Sequence, residues 1–238
     1  MEGSGRLVFV ADLDSPVLDD DDRHHLARVL RLRVGEALRA GDGAGRWRPC
    51  RLGPEGVLEP RGEVVDEPAP TPALTVAVAL TKGARPELAV QKLTELGIDR
   101  IVPVVAARSV ARWEAERGDR HVLRLRRVAR EAAMQSLRPR VPEVTPVRDF
   151  AEASALPGAA LAQPGGGPPT PATRAVLVGP EGGWSDEELG CGLPRLGLGS
   201  GVLRAETAAI AAGVLLGALR QGLVAPVLGA EPPRESTA

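Results

Sequence analysis

Four consecutive apolar residues, Ala175 to Val178, run directly into Gly179-Pro180-Glu181-Gly182-Gly183. A run of that length and β-branched content is a buried strand. The glycines after it permit backbone angles and close approaches denied to other residues. Ser185 then stands as a helix N-cap, with Glu188 three residues on completing a capping box. Further along, Val202-Leu203 reads as a second short strand. It leads through Arg204-Ala205-Glu206-Thr207 into a long helix with few polar side chains. Two loops therefore fall at the carboxyl edge of a sheet, where open α/β folds bind ligands. A glycine turn alone is common punctuation. A second glycine-bearing loop and an Arg–Glu–Thr cluster in the same unit make this one a candidate site.

The same rhythm runs through the preceding hundred or so residues. Leu74 to Leu80 is continuously apolar, as in a strand buried on both faces. Pro86 opens a helix at its first position, Ala89, Leu93 and Leu96 repeat at helical spacing, and Gly97 closes it. Ile101 to Ala106 is another buried strand. A long helix is expected from about Glu114 to Leu137, with Val122, Leu125, Ala129 and Ala132 on one face and Arg138-Pro139 as its stop. A strand near Val144 to Val147, a short helix near Phe150 to Leu156 and a strand near Ala159 to Ala162 follow. Gln163 to Thr173, rich in glycine and proline, reads as a flexible loop. Strands alternating with helices make a parallel sheet covered by helices, an α/β fold.

Upstream of Leu74 the pattern differs. Arg6 to Val10 is a short strand, and Asp22 to Leu32 an amphipathic helix with Leu26, Val29 and Leu30 inward and Arg23, His24, Arg28 and Arg31 outward. From Val34 to Val65, short alternating segments are broken by Gly41-Asp42-Gly43-Ala44-Gly45, Gly53-Pro54 and Arg61-Gly62. These are hairpin signals that point to a small β-barrel or compact antiparallel sheet. The Gly41–Gly45 stretch lacks the strand before and helix after that a dinucleotide loop requires, so it is a turn. Asp66 to Pro72 is a stiff, proline-rich connector and marks the domain boundary.

Composition narrows the function classes. A chain of 238 residues that is 43% hydrophobic and 26% charged suits two domains, or one large one, with a real core. A net charge of −1 argues against indiscriminate nucleic-acid binding, although a basic run lies between Arg117 and Arg130. Lys82 and Lys92 are the only lysines, and arginine supplies the remaining positive charge. The N-terminus lacks the layout of a secretion signal and no run suits a membrane span. Cys50 and Cys191 stand far apart and outside any metal spacing, as expected of thiols in a reducing cytoplasm. His24 and His25 are adjacent and cannot share one helix face, so no metal site is expected.

Several segments together resemble a known family. They are residues 21–31 (DDRHHLARVLR), 79–83 (ALTKG), 91–98 (QKLTELGI), Arg108-Ser109, residues 131–133 (EAA), Gln135-Ser136, residues 178–183 (VGPEGG) and 203–209 (LRAETAA). In this order and spacing they resemble the ribosomal RNA small-subunit methyltransferase E family (RsmE) of the SPOUT class, from about Arg6 to Leu223. Departures from the family pattern are Trp184 in place of phenylalanine, Leu125 in place of tryptophan and Leu137 in place of glycine.

The resemblance implies an N-terminal PUA-like β-barrel over residues 1–68 that contacts RNA. It further implies a SPOUT α/β domain with a deep trefoil knot over 73–225, and a flexible tail over 226–238. S-adenosylmethionine as cofactor, a homodimer, and N3-methylation of one uridine in 16S rRNA (the m3U1498 position) belong to the same expectation. A knotted methyltransferase acting on ribose 2′-hydroxyls or tRNA, and a ribosome-assembly RNA binder without catalysis, are the rivals.

The expected cofactor residues are Leu177, Val178, Gly179, Pro180, Glu181, Gly182, Gly183, Leu198, Gly199, Leu203, Ala205, Thr207 and Ala208. Leu177, Leu198 and Leu203 would wall the adenine. Arg204 is the candidate cation for a uridine anion, and Glu206 either takes the N3 proton or orients Arg204. An ion pair bracing the helix start is the bland alternative for that pair. RNA contacts are expected from His24, Arg28, Arg31, Lys82, Arg85, Gln91, Lys92, Glu95, Arg108 and Arg112.

Overall fold

The computed structural model describes residues 5–18, 33–80, 86–109 and 115–225. The helix expected over Asp22 to Leu32 and the tail 226–238 lie outside these residues.

Two sheets organise the chain. The first contains β1 (Leu7–Phe9), β2 (Ala37–Gly41), β3 (Arg46–Leu52), β4 (Leu58–Pro60) and β5 (Val65–Asp66). Its order is β1-β2-β3-β4, with β5 also on β3. The expected antiparallel pattern holds for β2 to β5, but β1 runs parallel to β2, so the sheet is mixed. The Gly41–Gly45 turn is built on Asp42, whose Oδ1 accepts the amides of Ala44 and Arg46 at 2.7 and 3.0 Å. Val8, Val10, Leu13, Leu38 and Leu58 form the small core beneath.

The second sheet is parallel throughout, in the order β12-β10-β11-β6-β7-β8, with β9 also on β7. Its strands are β6 (Thr75–Ala79), β7 (Arg100–Val105), β8 (Glu143–Val144), β9 (Arg148–Asp149), β10 (Ala159–Gly167), β11 (Ala175–Val178) and β12 (Arg195–Leu196). Side chains alternate between its faces, as the strand period requires. Val76, Ile101, Val176 and Val178 meet the helices α1 (Pro86–Glu95), α2 (Ala115–Gln135) and α5 (Ala205–Arg220). Ala77, Val102, Leu161 and Leu177 face α3 (Phe150–Ser154) and the residues around α4 (Asp186–Leu189). That two-sided burial explains why these strands read as unbroken apolar runs.

Three expectations are corrected. The segment near Val144 is two short strands, β8 and β9, rather than one. Gln163 to Gly167, expected as loop, continues β10. Both Ala162 and Gly167 take Leu196 as partner, so residues 163–166 arch past β12. The arch needs glycine: a Cβ on Gly166 would lie 2.5 Å from the Leu196 carbonyl carbon. Finally, Val202-Leu203 is not a strand; Val202 is 90% exposed, and β12 occupies that place in the sheet.

The two sheets are joined at the end of α2. Val141 donates its amide to Gly43 O at 2.9 Å and Gly45 donates to Pro139 O at 3.1 Å. Arg130 reaches Phe9 O at 3.1 Å with its guanidinium 5.6 Å from the Phe9 ring centre, and Leu7, Phe9 and Ala133 share a small apolar cluster. A second junction is ionic. Asp99 accepts the Leu74 amide at 2.9 Å and the Arg220 guanidinium, and Arg138 stands 3.9 Å away. Arg220 and Arg138 also cap the end of α1 through Gly97 O at 2.6 Å and Ile98 O at 3.2 Å. Burial lowers the Arg138 pKa, and Asp99 works in the opposite direction.

Candidate active site

β11 delivers Val178 to the carboxyl edge of the parallel sheet, and the chain turns at once. Gly183 donates to Pro180 O at 2.8 Å and adopts φ +68°, a left-handed value suited to glycine. Ser185 then caps α4 with both halves of the capping box present. On the other side, residues 197–204 lead from β12 to α5, with Gly199 at φ +151°.

Between these two loops lies a cleft of about 710 Å³, counting the part open to solvent. Val178, Gly179, Pro180, Glu181, Gly183, Leu198, Gly199, Leu203, Ala205 and Ala208 line it, all sequence candidates. A Cβ added at Gly183, Gly199 or Gly201 would meet no atom within 4 Å, so these glycines border open space.

Other candidates fall elsewhere. Leu177 is fully buried among Ala77, Leu161 and Trp184 on the opposite face of the sheet, because alternation along β11 turns it away from Val178. Its side chain therefore does not wall the cleft as expected. Gly182 and Thr207 are exposed and not among the lining residues. The cleft also uses Gly201 and Val202 of the second glycine-bearing loop, where cofactor contacts were expected, and Ala162, Gln163, Pro164 and Trp184, which were not anticipated there. Gln163 and Pro164 were hidden inside what read as a loop. Trp184 was visible only as a departure from phenylalanine; its indole donates to Ala162 O at 3.1 Å and meets Phe150 at 5.5 Å between ring centres.

Arg204 is exposed at the N-cap of α5, directly before the lining residue Ala205, and Glu206 is half-buried in the first turn. Among the described residues, no hydrogen bond or ion pair engages either side chain, so the alternative, an ion pair bracing the helix start, is not formed. Of the RNA candidates, Lys92 and Glu95 bond each other at 2.8 Å, Gln91 is exposed on α1, and Arg108 donates to Gly182 O at 3.1 Å. His24, Arg28, Arg31, Lys82, Arg85 and Arg112 lie outside the described residues. No cluster of three or more His, Cys, Asp or Glu suited to a metal occurs among the described residues, and no helix there is long and apolar enough to cross a membrane.

Comparison with known proteins places this geometry. Residues 67–217 match a family model described as an RNA methyltransferase domain, and residues 18–57 one described as an RNA methyltransferase PUA domain. The chain is 37% identical to the ribosomal RNA small subunit methyltransferase E of Mycobacterium bovis, covering 82% of this chain and 83% of that one. It is 30% identical to the protein of that name from Synechocystis, over 78% and 67% of the two chains. Among solved structures, a ribosomal RNA small subunit methyltransferase E from Neisseria gonorrhoeae, bound to S-adenosyl methionine, superposes with a TM-score of 0.75 at 26% identity, covering 90% and 97%. A putative methyltransferase from Legionella pneumophila, in complex with the same cofactor, gives 0.77 at 26% identity, covering 92% and 98%.

Proposed function

The chain belongs to the ribosomal RNA small subunit methyltransferase E family, and from that membership we propose that it methylates N3 of one uridine in 16S rRNA, the m3U1498 position. The observation that carries the reading is the cleft itself. Two glycine-bearing loops frame it, and an arginine without a protein partner among the described residues stands beside it.

The lining suits S-adenosylmethionine. Val178, Leu198 and Leu203 offer apolar walls for an adenine, and the glycines let backbone groups approach its edges and the ribose. When bound there, this cofactor supplies the methyl group. The protein's own task is to prepare the uridine. N3 of uracil is a poor nucleophile while it carries its proton, and a neighbouring cation stabilises the anion left when the proton departs. Arg204 fills that role, since its guanidinium is permanently charged and not neutralised by a carboxylate among the described residues. Glu206, two residues on, accepts the proton or orients Arg204. Gln91, Lys92, Glu95 and Arg108, with the candidates outside the described residues, hold the RNA.

The finer architecture belongs to the same proposal. Residues 1–68 form the PUA-like barrel, and residues 73–225 the SPOUT domain. The deep trefoil knot expected of that domain belongs to the proposal as well. The apolar face of α5 over residues 208–219, where Val214 is 50% exposed, is the part covered in a homodimer.

The test is mass mapping of 16S rRNA after small-subunit particles are incubated with the protein and cofactor. One added methyl on a uracil ring supports the reading. A methyl on ribose, on tRNA instead, or nowhere would refute it.

A further inference from the structure

Glu188 does more than complete a capping box. A capping box uses one carboxylate oxygen, and here Oε2 accepts the Ser185 amide at 2.8 Å. The other, Oε1, accepts the amide of Ala107 at 2.8 Å, across 81 positions of sequence. Glu188 is 5% exposed, so the acceptor end of both bonds is sheltered from water. Ala107 belongs to the turn that follows β7, where Ser109 Oγ accepts the Ala106 amide at 3.0 Å. The next residue, Arg108, reaches back to Gly182 O at 3.1 Å, and a Cβ on Gly182 would lie 3.3 Å from the Arg108 Cβ. The contacts close a ring that passes from Gly182 through Arg108, Ala107 and Glu188 to Ser185 and back along the chain. Part of that ring, Gly183 and Trp184, lines the cleft.

We propose that Glu188 is a positioning residue for the cofactor loop, fixing residues 179–184 against the turn at 106–109 so that the cleft is preformed. This rests on the reading of the cleft as an S-adenosylmethionine site. The carboxylate presents one acceptor oxygen to each of the two amides. A glutamine there brings an NH₂ donor against one of them, so one tie is lost at nearly unchanged shape. A preformed loop spends less binding free energy on ordering, so releasing it weakens the cofactor without touching a cofactor contact.

The experiment is calorimetric titration of S-adenosylmethionine, well below the melting temperature and without RNA, into the full chain and three variants. Glu188→Gln is expected to raise Kd about tenfold, the size of one charge-assisted hydrogen bond. Arg108→Ala, at an exposed site that does not endanger folding, is expected to raise it about threefold by the loss of one ordinary bond. Ser185→Ala removes the hydroxyl half of the cap but leaves both carboxylate bonds, and should lower the melting temperature while leaving Kd within twofold. No heat with the unaltered chain would overturn the cofactor reading itself. Binding by that chain with Glu188→Gln and Arg108→Ala both within twofold of it would overturn the positioning role. So would Ser185→Ala matching Glu188→Gln, because the helix cap would then account for the effect.

Discussion

The backbone of Gly179 lies against the indole of Trp184: a Cβ at position 179 would sit 3.0 Å from the ring carbon Cε2. The indole cannot easily retreat, because its Nε1 is bonded to Ala162 O and Phe150 packs on it. Gly179→Ala therefore crowds the cleft wall and is expected to destabilise the fold by about 1–3 kcal/mol, the usual cost of an overpacked site. A urea unfolding series gives the value, and an unchanged midpoint would show that the ring has room to move.

Asp99 holds two arginines at once. Its side chain is 14% exposed, and those of Arg220 and Arg138 are 10% and 17% exposed. Asp99→Asn removes the counter-charge that, among the described residues, these two guanidinium groups share at this junction. Breaking a buried pair by deleting one partner costs about 3–5 kcal/mol. The exposed pair Arg100–Glu143, at 2.7 Å, sets the contrast: Glu143→Gln should cost about 1 kcal/mol at most. Equal losses for the two variants would contradict this account of the junction.

Leu137 ends α2 with φ +58°, a left-handed conformation that costs a residue with a Cβ about 1–2 kcal/mol. The helix closes through Arg138 N to Ala133 O at 2.9 Å, the bond of a terminator that favours glycine. Leucine compensates by packing beside Leu7, Phe9 and Ala133. Leu137→Ala loses that packing and keeps the backbone cost; Leu137→Gly loses the packing and relieves it. The glycine variant should therefore be the more stable of the two by about 1 kcal/mol, as read from paired thermal melts.

The two cysteines should differ sharply. Cys191 is exposed and Cys50 is buried, and burial raises the Cys50 thiol pKa despite the opposing charge of Arg48. A thiol-specific reagent should label Cys191 rapidly in the native protein and Cys50 only on unfolding. The pH consequence follows in sign. Above about pH 8.5 the unfolded chain releases the Cys50 proton while the folded chain retains it, so stability falls as pH rises. Cys50→Ala should flatten that alkaline decline relative to the unaltered chain, and an unchanged slope would assign the decline to another group.

What the sequence made legible was local. The capping box of Ser185 and Glu188, the strand at 175–178 and the helix from Pro86 each depend on neighbours within a few residues, and all are present. The Ala107–Glu188 bond was not legible, because it joins segments 81 positions apart. Gln163 to Gly167 misled because glycine and proline favour loops, whereas here Gly166 is demanded by the crossing with Leu196. β12 has only two residues, too few to display a period, and the apolar pair Val202-Leu203 drew the strand assignment instead. Leu177 was misplaced for a simpler reason: its neighbour Val178 reaches the cleft, and adjacent strand residues face opposite ways.

On the proposed function, Arg204, which has no partner among the described residues, stands beside the two-loop cleft and makes uracil N3 reactive. The direct test is the initial rate of methyl transfer to small-subunit particles by the unaltered protein and by Arg204→Ala, at cofactor concentrations that saturate both. Loss of one charge-stabilising group is expected to slow transfer about 10²–10³-fold with cofactor affinity nearly intact. An Arg204→Ala rate equal to that of the unaltered protein would contradict the account.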